Sequence, residues 1–156
     1  MAGLSDISLG NFTRILYGQA SVAAPTSVLG DVQSIGDITD EATIVDVPAY
    51  AQKYLKKLVG SANASAIEVV CNYDPSDAGQ IDLFAAYNAS AARMIRIEMG
   101  IDATFAGDAT SHVTGIEFDC LVASASVSNS FDETRTVTFS LVPTDGLGDG
   151  YTAVTN

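Results

Sequence analysis

The sequence holds no tryptophan, one histidine and two cysteines among its 156 residues. Each scarcity removes a class of function. Cys71 and Cys120 stand far apart in apolar, strand-like surroundings. They read as two buried reduced thiols, since a disulfide framework needs more cysteines and a secretory opening. Met1–Ser8 shows neither a basic n-region nor a long apolar h-region, so the chain is expected to fold in a cytosol-like compartment. The lone His112, between Ser111 and Val113 in an expected loop, has no nameable partner to orient it as a catalytic base. Neither Cys-x2-Cys nor His-Glu-x-x-His occurs, so the spacings of common metal sites are missing. No run approaches the ~20 apolar residues of a membrane span. The expectation is a chain without catalysis, cofactor or metal.

Basic residues are scarce as well. Seven Lys and Arg stand against nineteen Asp and Glu, a net charge of −12. Such a chain is ill suited to grip nucleic acid or anionic lipid. It remains suited to a surface that DNA passes without adhering. The basic residues cluster once, as Lys53, Lys56 and Lys57 near Tyr50 and Tyr54. That cluster reads either as a solvated face or as a contact onto an acidic patch of another copy. Asp132-Glu133 reads as a solvated hairpin turn rather than a pair of catalytic carboxylates. Asp145–Gly150 lacks the spacing and closing Glu of a calcium loop, and its alternate glycines follow no strand-to-helix step.

What is present is apolar alternation. Apolar residues make up 47% of the chain, enough for a single packed domain over 1–156. Period-2 patterns predict strands at 11–17, 29–35, 42–47, 66–73, 93–99, 102–106, 114–128 and 134–142. In the last of these Val137, Phe139 and Leu141 alternate with Thr136, Thr138 and Ser140. Residues 49–59 fit a helical period and a strand equally; 60–64 read as a flexible loop. Residues 1–10 read as an arm and about 144–156 as a loose tail.

One helix is predicted, starting at Asp74 as N-cap with Pro75 first inside and ending at Asn88. Asp77 and Asp82 place negative charge near its start. Ile81, Phe84, Ala85 and Asn88, widened by Leu83 and Tyr87, form the expected buried face. Gly79 weakens the first turn by about 1 kcal/mol relative to Ala. The fold class is therefore mainly β: two packed antiparallel sheets, sandwich- or barrel-like, flanked by one α-helix.

The order of four stretches carries a resemblance. A strand, then CNYDPSDAGQIDLFAAYN, then RMIRIEMGIDATFAGDATS, then TRTVTFSLVPTDG, resembles the major tail tube protein of long-tailed bacteriophages over about residues 65–147. The resemblance implies hexameric rings stacked into a tube with a β-lined lumen, through which DNA passes without specific binding. It implies partners in other copies of the chain and in tape measure, tail tip and terminator proteins. It implies a place in the virion tail after assembly in the host cytoplasm. It favours a strand pair across Pro48 and makes residues 36–64 an inter-ring loop that orders on assembly. Tyr50, Lys53, Tyr54, Lys56 and Lys57 become inter-subunit contacts. The acidic excess is then expected partly on the lumen wall, where it repels DNA. Two other readings stand beside it: an inner-tube protein of a contractile tail or secretion system, and a soluble β-sandwich binding module.

Overall fold

A computed structural model describes residues 13–20, 25–99, 112–144 and 152–155, with 112–114 and 152–155 described by backbone alone. The expected arm at 1–10 and strand at 102–106 lie outside the described residues. The elements run β1 (Thr13–Gln19), β2 (Ser27–Val28), β3 (Val32–Ile35), β4 (Asp40–Val47), β5 (Lys56–Ala64), β6 (Ile67–Asn72), α1 (Ala78–Ala89), β7 (Arg93–Met99), β8 (His112–Ser128), β9 (Thr136–Pro143) and β10 (Thr152–Thr155). The fold is mainly β, with two antiparallel sheets and one helix, as the alternation predicts.

The larger sheet has the order β2-β1-β7-β8-β9-β6-β3, with β10 also on β8. Its hinge is β8, 17 residues long. Thr114–Cys120 pairs with β7, and Cys120–Ser128 pairs with β9. The register shifts between Val122 and Ser124. A bulge of this kind bends a strand and raises its twist. One strand thus serves two sheet halves: β8-β7-β1-β2, and β8-β9-β6-β3.

The core joins both halves. Ile15, Ile95, Ile97, Ile116 and Phe118 meet Ile67, Val69, Cys71, Val137, Phe139 and Leu141 in one buried cluster. In β9 every second residue is buried, and Thr136, Thr138 and Ser140 face the other way. Fully burying side chains of this size stabilises by roughly 1.5–3 kcal/mol each.

The helix starts later than the sequence suggests. Asp77 is the N-cap, and its Oδ2 accepts from the Gln80 amide at 2.9 Å. Asp74 instead closes a turn before the helix, accepting from Ser76 N at 2.8 Å and Ser76 Oγ at 2.6 Å. Those bonds hold the Asp74 carboxyl below the usual carboxylate range. Two capping residues three apart compete, and the Asx turn with Pro75 takes the first. Asp82 then lies in mid-helix, paired with Arg93 at 2.7 Å. The helix ends at Ala89, with Ser90 as a left-handed cap at φ 51°.

The buried face is also rotated. Gly79, Gln80, Leu83 and Ala86 are buried, while Ile81, Ala85, Tyr87 and Asn88 are exposed. Two contacts fix this orientation. Gln80 Nε2 donates to Asn72 O at 2.8 Å, and Gln80 Oε1 accepts from Asp74 N at 3.1 Å, so a polar side chain is satisfied inside. A Cβ on Gly79 would stand 2.7 Å from Leu29 Cδ1 and 2.9 Å from Tyr17 Cε1. Glycine here permits close approach, so its low helix propensity is offset by packing. Phe84 lies at the margin, edge-on to Phe139 with ring centroids 5.1 Å apart.

Candidate functional site

The second sheet is a hairpin of β4 and β5 alone. It takes up residues 60–64, expected to be loop, and starts β5 at Lys56, so Pro48–Leu55 is the connection. The register pairs Ile44 with Val59, Val45 with Leu58, Asp46 with Lys57 and Val47 with Lys56. It shifts between Ala42 and Ile44. Gly60 meets this irregularity, where a Cβ would stand 3.2 Å from Thr43 O. Almost every residue of the hairpin is exposed, including Ile44, Val45, Leu58 and Val59, the last at 76%. Because side chains alternate, Ile44 and Val59 point to one face and Val45 and Leu58 to the other. A two-stranded ribbon apolar on both faces is marginal by itself in water.

The five residues singled out in the sequence all fall on this hairpin or its tip. Tyr50 and Tyr54 lie in the connection, both well exposed. Lys53 Nζ sits 5.8 Å from the centroid of the Tyr54 ring. Lys57 Nζ bonds Asp46 Oδ1 at 2.6 Å across the strands, and Lys56 opens β5. Pro48, Ala49, Tyr50 and Leu55 line a shallow concavity of about 370 Å³ at the tip. The sequence reading did not single out the adjacent apolar pairs Ile44-Val45 and Leu58-Val59, which face each other across the hairpin.

The outer faces of the two sheet halves differ. On the β1-β7-β8 half the alternating charges Arg96 and Glu98 of β7 are buried rather than solvated. Arg96 is 8% exposed and Glu98 3%. Register places Arg14 opposite Glu98 and Arg96 opposite Glu117. Glu98 holds Arg14 through Nε, and its other oxygen is 3.2 Å from Arg96 Nε. Among the described residues, Arg96 Nε, Arg96 Nη2 and Asp119 Oδ1 are buried without a hydrogen-bond partner, so Arg96 meets Glu98 as an ion pair only. Burial of Glu98 and Arg96 is tolerated because the strands bring opposite charges into one ladder.

The β8-β9-β6 half presents hydroxyls instead. Ser124 lies opposite Ser140, Ser126 opposite Thr138, and Ser128 opposite Thr136. Glu68, Val70 and Asn72 continue these rows on β6. No lysine or arginine stands in this ladder. Among the described residues, Leu121–Ser128 pairs on one side only, with β9, and β3 pairs only with β6. Among the described residues this four-stranded half therefore has two open edges.

Neither cysteine offers chemistry. Cys71 and Cys120 are free and buried, and desolvation, with nearby aspartates adding, pushes both thiols up to about 12. A thiol so far from ionisation is a poor nucleophile. His112 is the first residue of β8 rather than part of a loop. Among the described residues no group of three metal-ligating side chains gathers. No helix of the described residues is long and apolar enough to cross a membrane. Thr152–Thr155, within the expected loose tail, pairs with β8 from Gly115 to His112.

The sequence matches no protein-family model and no curated protein. Solved structures do match. The chain is similar to that of the SPP1 tail tube, at 16% identity and TM-score 0.63, covering 88% of this chain and 76% of that one. It is similar to a chain of the anti-feeding prophage baseplate, at 8% identity and TM-score 0.69, covering 95% and 99%. It is also similar to a chain of the gene transfer agent tail, at 10% identity and TM-score 0.63, covering 90% and 96%. At these identities the likeness is one of fold, and in fold this chain stands with the chains that build phage-type tail tubes and related tail assemblies.

Proposed function

We propose that the chain is a structural protein that closes into rings and stacks them into a tail tube. The observation that carries this is the β3-β6-β9-β8 half, open at both edges among the described residues. Such edges are hazards in a monomer. A ring removes them when the β8 edge of one copy pairs with the β3 edge of the next, a head-to-tail contact that closes by rotation. The gene transfer agent tail has C6 symmetry and the prophage baseplate is 6-fold symmetrised, which supports six copies to a ring. The resemblance seen in the sequence supports the same number.

In such a ring the hydroxyl ladder of Ser124, Ser126, Thr136, Thr138 and Ser140 faces the lumen. Part of the acidic excess was expected on this wall. This ladder carries one carboxylate, Glu68, and no cation, so it neither grips nor strongly repels DNA. DNA is then cargo that slides past, and the chain performs no catalysis. Tape measure, tail tip and terminator proteins are the partners the resemblance supports, in a virion tail assembled in the host cytoplasm.

Negative-stain electron microscopy and sedimentation of the purified chain test this reading. Rings or tubes are expected. A monomer across a wide concentration range overturns it.

A further inference from the structure

The two ends of the body are finished differently. Gln19, Arg93 and Cys120 share one row across the strands, and Thr13, Met99 and Thr114 share another at the opposite end. At the first end α1 runs into β7 and lays Leu83 and Ala86 on the core, with Gly79 against Leu29 and Tyr17. A helix therefore covers the apolar interior there.

At the second end the core opens into an apolar mouth of about 640 Å³. The core residues Ile97 and Ile116 line it, beside Ile35, Ile38 and Met99, which are only partly buried. Thr13, the first residue of β1, lines it as well. Covering apolar surface of this kind is the chief favourable term in folding.

The stretch of chain leading to Thr13 carries what such a mouth takes. Residues 1–12, outside the described residues, include Leu4, Ile7, Leu9 and Phe12 and one charged side chain, Asp6. Gly10-Asn11 is a turn dipeptide, placed to send the chain back over the rim. Ile7 and Leu9 flank Ser8, so an extended stretch gives both to one face. Ile7 stands six positions before Thr13, a reach of about 20 Å.

We propose that residues 4–9 fold back into this mouth in their own chain, with Ile7 and Leu9 seated against Ile38 and Ile97. The segment then closes this end of the body as α1 closes the other. Occupancy by the same chain follows from the tether. A segment attached at the rim is present at about millimolar effective concentration, far above that of a second copy in dilute solution. The inference concerns the monomer and stands apart from the tube reading. For that reading it has one consequence: the core side of β3 is packed before its edge meets a neighbour.

Disulfide trapping on the full chain tests this. Cys71 and Cys120 are buried and do not compete. Leu9→Cys with Ile38→Cys should close a bridge within one chain under mild oxidant, at least about tenfold faster than Leu9→Cys with Ile44→Cys. Ile44 is exposed on the hairpin that leaves the same end, so a loose segment reaches both positions alike. Independently, Ile7→Ser with Leu9→Ser should raise the unfolding equilibrium constant at least about thirtyfold. Ser8→Ala should change it by no more than about twofold. Equal bridging rates, a bridge that forms only between copies, or a serine variant as stable as the unaltered chain overturns the proposal. If the serine variant does not fold, the bridging rates decide. Both measurements use monomeric chain, so a failure of tube assembly leaves their result unaffected.

Discussion

β5 runs into β6 with two residues between them, yet the two strands have opposite fates. In β6, Ile67, Val69 and Cys71 are buried, Glu68 is exposed, and Val70 and Asn72 are half-buried. In β5 every residue up to Asn63 is exposed, apolar ones included. Apolar residues are core in one and bare in the other, because only β6 has a strand on both sides and a core beneath. Body and hairpin thus answer to different requirements. Body side chains hold the monomer, and those of the hairpin have nothing in the monomer to hold.

The largest effect that separates them is core truncation. Phe139→Ala should lower unfolding stability in urea by about 3–5 kcal/mol. Val59→Ser on the hairpin should move it by no more than about 0.5 kcal/mol. Comparable losses at both positions would erase the distinction.

Ion pairs sharpen it next. Glu98→Gln leaves Arg96 and Arg14 facing a neutral group, with the Glu98 side chain only 5% exposed, and should cost about 3 kcal/mol or more. Lys57→Gln breaks a hairpin pair whose partners are 65% and 50% exposed, and should cost less than about 1 kcal/mol. Equal costs in a denaturant titration would mean that burial does not distinguish the two pairs.

Gly79→Ala gives a smaller change with an informative sign. Helix propensity alone favours it by about 1 kcal/mol. The clash with Leu29 and Tyr17 should outweigh that by about 1–3 kcal/mol, lowering the melting temperature. A raised melting temperature would show that the helix does not sit as described.

The thiols give the mildest test, in pH. Both have folded values pushed from 9.0 up to about 12. Raised groups stabilise fully below their unfolded value, and that contribution is lost as pH climbs from about 9 towards 12. Stability should therefore decline across that window, more steeply than in a Cys71→Ala, Cys120→Ala double variant. Neither thiol should be alkylated at neutral pH until the chain unfolds.

Much of the body was legible because burial and period agree there. β7 spans the seven residues the pattern marks, and the buried rows of β8 and β9 are the ones the alternation names. The helix was legible in place but not in phase. Its start depended on which of Asp74 and Asp77 took the turn, and its buried face on Gln80 and Gly79, residues that hydropathy does not favour for an interior. The burial of Arg96 and Glu98 was hidden because charges in alternation read as a wet face, whereas cross-strand register supplies them with partners. For the hairpin, sequence marked the tyrosines and lysines but not the strand continuing through Gly60, since glycine and small residues imitate a loop. Its apolar residues look like core in sequence, and only the topology shows that no core lies beneath them.

Hydrogen exchange on monomer and assembled tube tests the central claim most directly, because it reads stability strand by strand. The account predicts that amides of Asp40–Val47 and Lys56–Ala64 exchange fast in the monomer and become strongly protected in the tube. Those of β6 and β9 facing each other should be protected in both. Equal protection of the hairpin in the two states would contradict it.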